Sequence, residues 1–242
     1  MFQSYNGAVK ILVILPTYNE AENIHRIMDR ILGLLNPPDI LVIDDNSPDH
    51  TAQIVKREFS GNPRVHVLLR EKKLGLGTAY TAGFTFGLEN HYSAVVTMDA
   101  DFSHDPAMIP RLQAAASQYD LVIGSRYVPG GATLNWPVFR KVISWTANLM
   151  ANHFLSLPPR DCTSGFRLYT ADSLRLIDFA SIRAQGYSYL VEILFRASRR
   201  NLKIGEIPIQ FVERQQGKSK ISRKEIFKAI QTMIRLRLSL RR

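Results

Sequence analysis

Five short runs that are apolar almost without interruption, KILVIL (10–15), DILVID (39–44), RVHVLL (64–69), AVVTMD (94–99) and DLVIG (120–124), alternate with stretches of helical periodicity through the first half of the chain. Nothing else in the sequence constrains the fold as strongly. A strand with one buried face alternates apolar and polar residues, whereas a strand covered on both faces is apolar throughout. The expected architecture is therefore α/β, an open and mostly parallel central sheet flanked by right-handed crossover helices. Ile24, Ile27, Met28, Ile31 and Leu32 recur at helical spacing behind Asn19, which with Glu22 three residues on reads as a cap. Residues 52–59, 77–88 and 106–118 carry weaker helical patterns. After Arg126 the alternation breaks: 138–157 reads as an amphipathic helix and KIGEIPIQFV (203–212) as a further strand. One domain over 1–220 and a basic amphipathic helix over 221–242 account for the 242 residues.

In open parallel sheets ligands bind beyond the carboxyl ends of the strands. There this chain places PTYNE (16–20), DDNSPDHT (44–51) and DADFSHD (99–105), three polar loops rich in carboxylates. Repulsion among Asp99, Asp101 and Asp105 is relieved by a cation, a turn or open water. Asp99 and Asp101 stand two apart, so in extended backbone they point the same way and can meet one divalent ion or its bound phosphates. The same pair fits a solvated turn, and alone it does not decide.

Charge and cysteine usage bound the partners. The net charge is +10, and all of the excess lies after residue 198, where 13 Lys and Arg face three Glu. Such a tail attracts nucleic acid, an anionic membrane or a phosphorylated substrate. The acidic loops would repel a nucleic-acid backbone and no interleaved aromatic and basic surface is evident, so no nucleic-acid partner is expected. The run AVKILVIL (8–15) contains Lys10 and stops at Pro16, well short of the ~20 apolar residues a span requires, and it lacks the flanks of a signal peptide. Cys162, the single cysteine, excludes an intramolecular disulfide and reads as a small buried side chain.

The ordered motifs PTYNE, IDDNSPD (43–49), GLGTAYTAGF (75–84), MDADFSH (98–104), GSRY (124–127) and TSGFRLY (163–169) resemble those of the inverting family 2 glycosyltransferases, most closely the dolichyl or polyprenyl phosphate mannosyltransferases. The resemblance implies a GT-A fold, GDP-mannose as donor, Mg²⁺ or Mn²⁺ as cofactor and dolichyl or polyprenyl phosphate as acceptor; UDP-glucose is the alternative donor. Carried over position by position, Pro16, Tyr18, Glu20, Ile43 and Asp45 hold the nucleotide base and ribose. Asp99, Ala100 and Asp101 line the diphosphate and metal, with Ser103 as a further oxygen ligand, although a Gln occupies this position in some relatives. His104 reads as a solvent-facing or supporting residue rather than a ligand. Gly75 and Gly77 permit close packing of a helix near the donor, and Lys72 and Lys73 either help neutralise phosphate or stay solvated. Arg126, Arg140 and Ser144 match positions around the acceptor phosphate, and Arg126 also faces the donor. An i, i+4 pair such as Arg140 and Ser144 shares one helix face. Arg214 and Lys220 match a late basic pair that closes over the donor diphosphate.

A phosphate monoester carries about −1.5 to −2 charge at neutral pH and is already a nucleophile, so no obligatory general base is assigned. The catalytic work falls to Asp99, Asp101 and Arg126. Ser222 to Glu225 reads as a capping box ahead of Ile226, Ile230, Met233 and Ile234, with Lys224, Lys228, Arg235 and Arg237 interspersed. This helix either lies on a membrane surface or packs on the domain with a solvated basic face. Some relatives use a small membrane subunit instead. The expected location is cytoplasmic, peripheral on the cytosolic face of a membrane.

Overall fold

The computed structural model describes residues 10–213 and 223–239. The chain begins with β1 (Ile11–Thr17), α1 (Ile24–Leu32), β2 (Asp39–Asp44), α2 (Thr51–Glu58), β3 (Val65–Leu69), α3 (Leu76–Glu89) and β4 (Ala94–Thr97). It continues through α4 (Ile109–Ala115), β5 (Leu121–Ser125), β6 (Ala132–Leu134), α5 (Val138–Leu155), β7 (Arg167–Thr170), α6 (Ala171–Ile177), α7 (Tyr187–Arg199), β8 (Ile204–Pro208), β9 (Gln210–Val212) and α8 (Arg223–Ser239).

Seven strands form one sheet in the order β3-β2-β1-β4-β7-β5-β8. The pairings β2–β3, β1–β2, β1–β4 and β5–β8 are parallel, while β7 runs antiparallel between β4 and β5. The carboxyl ends of β1, β2 and β4 therefore lie side by side, bringing the three polar loops to one edge. Along β1 successive side chains enter opposite layers: Leu12 and Ile14 pack with α3, α5 and α7, while Ile11, Val13 and Leu15 pack with α1 and α4. Close approach of α3 to the sheet depends on small residues. A Cβ at Gly83 would stand 2.4 Å from Ile14 Cδ1, and one at Gly87 would stand 2.7 Å from Val95 Cγ2.

Three expectations need correction. Asn19 adopts a left-handed conformation and does not cap a helix; α1 begins at Ile24 after a turn in which the Glu20 carbonyl accepts the Asn23 and Ile24 N–H groups. The apolar run of β3 is not covered on both faces, because β3 is an edge strand with Leu68 and Leu69 partly exposed. The expected strand over 203–212 is two strands: β8 pairs with β5 as far as Pro208, the Ile209 N–H donates to the Ser125 carbonyl while the Ile209 carbonyl accepts from the Ala132 N–H, and beyond this switch β9 pairs with β6 in a separate two-stranded sheet. That small sheet roofs the site.

Candidate active site

The first two loops are laced together by their own side chains. Buried Asp44 accepts hydrogen bonds from Thr17 Oγ1 (2.8 Å), Ser47 N (2.8 Å) and Ser47 Oγ (2.6 Å). Asn19 N donates to Ser47 Oγ, Glu20 N to Thr51 Oγ1 and Ala21 N to Asp49 Oδ2. Half-buried Pro16 and Tyr18 lie on this edge, with Lys73 Nζ 3.6 Å from the Tyr18 ring centre. Asp45 pairs with Arg70 and accepts the N–H of Gly75 at 2.9 Å, which ties the end of β2 to the start of α3. Gly75 has φ +91°, a conformation other residues avoid. The Ile43 side chain lies wholly in the core, so it does not face the loop edge and only its backbone reaches there.

The acidic loop divides its three carboxylates among different tasks. Asp105 caps a short 3-10 turn through Ala107 N (3.1 Å) and pairs with Arg30 (2.8 Å). Asp99 and Asp101 are not on an extended strand, because β4 ends at Thr97 and the loop bends through Phe102 at φ +61°. The Asp101 Oδ1 atom accepts from Ser103 N at 3.1 Å and Ser103 Oγ at 2.5 Å, so the Ser103 hydroxyl is directed at the carboxylate. Ala100 is buried among the residues that pack on α1. His104 is fully buried, not solvent-facing: its ring stacks on Phe166 at 5.0 Å, and Nδ1 accepts the Asp99 N–H at 3.1 Å. Burial lowers its pKa and outweighs the opposing pull of Asp99 and Asp101, both of which lie near enough to act on the ring.

Beyond the acidic loop, Phe211 of β9 connects two halves of the site. It stands edge-on to His104 (5.2 Å) and to Trp136 (5.3 Å), with the Arg126 guanidinium 5.4 Å from its centre. Arg126 is not an open phosphate clamp. Its fork is occupied by Asp161, with Nε to Oδ2 and Nη2 to Oδ1 both at 2.7 Å, and Nη2 also donates to Thr163 Oγ1. Burial works to raise the Asp161 pKa, but Arg126 overrides it and holds the carboxyl below the usual aspartate range. Arg140 stacks on Trp136 at 4.2 Å and pairs with Glu213 at 2.7 Å. Ser144 accepts from Tyr127 OH at 2.8 Å. Arg126, Arg140 and Ser144 are thus gathered around Tyr127 and Trp136. Two N–H groups of this cluster, Trp136 Nε1 and Arg140 Nε, are buried without an acceptor among the described residues.

The TSGFR segment supports both halves from below. Thr97 Oγ1 donates to the Gly165 carbonyl at 2.7 Å, and Ser164 Oγ donates to the Gly124 carbonyl at 2.6 Å. Arg167, with no exposed surface, donates to the carbonyls of Ser164, Leu190 and Cys162. Sequence reasoning missed Asp161, Trp136, Phe211 and Arg70. Asp161 alone left a trace, an acid beside a cysteine and two positions before TSGFR. Arg214 and Lys220, and Ser222 of the expected capping box, lie outside the described residues.

The sequence profile of glycosyl transferase family 2 matches residues 12–177. The chain belongs to glycosyl transferase family 2. Within the family it is 45% identical over 233 residues to the undecaprenyl-phosphate mannosyltransferase of Micrococcus luteus, covering 96% of each chain. It is 43% identical over 235 residues to the polyprenol monophosphomannose synthase of Mycolicibacterium smegmatis, covering 95% of this chain and 89% of that one. In fold it is similar to glucosyl-3-phosphoglycerate synthase from Mycobacterium tuberculosis in complex with Mn²⁺, UDP and glucosyl-3-phosphoglycerate, with a TM-score of 0.67 at 20% identity over 94% of this chain and 79% of that one. The fold is GT-A.

The family 2 site has a donor set suited to a hard divalent ion. Asp99 and Asp101 offer carboxylate oxygens, and the Asp99 side chain keeps 28% of its surface accessible. Among the described residues no third His, Cys, Asp or Glu converges to complete a cage. Two carboxylates fit an ion that takes its other ligands from diphosphate and water.

Proposed function

We infer that this family 2 enzyme transfers mannose from GDP-mannose to a polyprenyl phosphate, giving a β-linked polyprenyl phosphate mannose and GDP. The observation that carries the reading is the pair of buried N–H donors with no acceptor among the described residues, Trp136 Nε1 and Arg140 Nε, across Phe211 from the acidic loop. Buried donors without acceptors are costly, and a phosphate oxygen is the kind of group that would satisfy them. The near full-length relatives named for undecaprenyl phosphate and polyprenol monophosphomannose support the same acceptor.

In this reading Pro16, Tyr18, Glu20, the Ile43 backbone and Asp45 receive the nucleoside, and Arg214 and Lys220 close over its diphosphate. Asp99 and Asp101 would hold Mg²⁺ or Mn²⁺, with Ala100 lining the diphosphate pocket and Ser103 keeping Asp101 oriented. Such an ion would supply positive charge to stabilise the departing diphosphate. His104 fixes the Asp99 backbone. Arg126, braced by Asp161, keeps Tyr127 and Trp136 in place, and Arg140 and Ser144 orient the acceptor phosphate. One phosphate oxygen forms the bond to the anomeric carbon as the bond from that carbon to the diphosphate oxygen breaks, and GDP leaves with the electron pair. Attack from the opposite face inverts the α-linked donor. The site works peripherally at the cytosolic face of a membrane.

The test is transfer of labelled sugar from GDP-mannose, with UDP-glucose in parallel, to a polyprenyl phosphate in detergent, with and without chelator. Chelator-sensitive mannolipid is expected. Asp101→Asn should lower turnover by about a hundredfold or more, since a metal supplies several kcal/mol of charge stabilisation. Unimpaired turnover in that variant would remove the metal assignment, and absence of lipid product from both donors would remove the acceptor.

A further inference from the structure

Two arginines of the acceptor cluster are held by carboxylates in different ways. Asp161, with no exposed side-chain surface, takes Nε and Nη2 of Arg126 and a backbone N–H as well. Glu213 takes Arg140 through one bond, Nη1 to Oε1 at 2.7 Å, and keeps 32% of its side chain accessible. A buried carboxylate with three such bonds cannot leave without stranding a charge, so Asp161 is a permanent brace. A partly exposed carboxylate on a single bond can turn into water at little cost, because ion pairs that reach solvent contribute little.

The position of Glu213 makes that difference matter. It directly follows β9, where the Val212 N–H donates to the Ser103 carbonyl at 3.4 Å and the Glu213 N–H to the Leu134 carbonyl at 3.1 Å. Its backbone is thus fixed, and only the side chain has to move. A phosphate that reaches the buried N–H groups of Trp136 and Arg140 meets the Glu213 carboxylate on the same guanidinium. Two anions within about 4 Å repel each other strongly at a partly desolvated site, so one of them must give way. A phosphate monoester, at about −1.5 to −2, brings more charge and more acceptor oxygens than a carboxylate and keeps the arginine. Transfer turns the monoester into a diester, which has lost the second ionisation and with it that advantage.

We propose that Glu213 is an intramolecular competitor for the acceptor-phosphate site. Its carboxylate holds Arg140 until the phosphate monoester displaces it, and it reclaims Arg140 after transfer, which speeds release of the lipid product. Glu213 thereby limits the affinity of the site for acceptor and product alike without touching the reacting atoms. The placement of the acceptor phosphate rests on the function proposed above; the competition is a separate claim.

Titration calorimetry of the full chain, with and without GDP and Mn²⁺, tests it with two probes: a short, water-soluble isoprenyl phosphate and its methyl diester, which mimics the charge of the product. Glu213→Gln removes the charge and keeps the shape. It should tighten both probes by about fivefold, the upper value of a partly exposed ion pair. In turnover the same variant should show KM for polyprenyl phosphate lowered, and inhibition by the lipid product strengthened, by about that factor. Asp172→Asn, which removes one carboxylate from an exposed pair with Arg175, is the control for net charge and should leave both affinities unchanged. Equal tightening in that control overturns the proposal, as does unchanged binding in Glu213→Gln. Weaker binding in Glu213→Gln would make Glu213 a brace for Arg140, as Asp161 is for Arg126, and overturns it too. If neither wild type nor Glu213→Gln binds the isoprenyl phosphate under either condition, the acceptor reading fails and the competitor with it; if both bind it equally well, the competitor alone fails.

Discussion

Asp161 receives three hydrogen bonds from Arg126, one from the backbone N–H at 3.0 Å and two from the guanidinium at 2.7 Å each, and has no exposed surface of its own. Removing one partner of such a pair strands the other charge. Asp161→Asn is expected to cost about 3–5 kcal/mol in urea unfolding. A loss below about 1 kcal/mol would show that Arg126 finds another partner. The pH dependence has a definite sign. The folded-state pKa of Asp161 is lowered, so its contribution is complete above the ordinary aspartate value of about 3.9 and is lost as pH falls below it toward the folded value. Wild type should therefore lose stability faster than Asp161→Asn as pH drops through that window.

Trp136→Phe keeps the aromatic contacts with Arg126, Arg140 and Phe211 and deletes only the buried N–H. Because that N–H has no acceptor among the described residues, unfolding stability should hold or rise slightly. If the N–H binds the acceptor phosphate, KM for polyprenyl phosphate should rise by about tenfold or more, the value of a hydrogen bond to a charged group. An unchanged KM would take Trp136 out of the phosphate site.

Cys162 lies buried, with its thiol 3.4 Å from the Pro159 carbonyl, and burial pushes its pKa up to about 12. Thiolate is the reactive form, so Ellman's reagent at pH 8 should leave the native protein unlabelled and modify one thiol on unfolding. Rapid labelling of the folded protein would contradict this burial.

Gly83→Ala raises intrinsic helix propensity by about 1 kcal/mol but places a methyl group against Ile14 at the α3–β1 contact. Overpacking should prevail, with a net loss of about 1–2 kcal/mol in thermal unfolding. A stabilised variant would mean that Ile14 can move aside within the sheet layer.

The division of the acidic loop shows where reading a sequence stops. Asp99, Asp101 and Asp105 look alike along the chain, but a bend at Phe102 turns Asp105 into a cap and a partner for Arg30 while Asp99 and Asp101 flank His104. His104 itself is polar and adjacent to charge, so its full burial followed only from the ring of Phe166, 62 positions along the chain, lying beneath it. Arg126 and Asp161 are separated by 35 residues, and no local pattern announces that one will neutralise the other.

The periodicity of apolar residues by itself determined the α/β class, the strands β1, β2, β4 and β5 and the loops that gather at their carboxyl ends, because side-chain burial repeats with the geometry of each element. The order of motifs was sufficient to indicate family 2. Tertiary structure alone decided the antiparallel insertion of β7, the separate β6–β9 sheet, the Arg126–Asp161 pair, the burial of the Trp136 and Arg140 N–H donors and the exposure of the apolar stripe of α5. Each of these depends on which distant segments meet, and the free energy of such meetings is set by long-range packing and desolvation rather than by the local sequence.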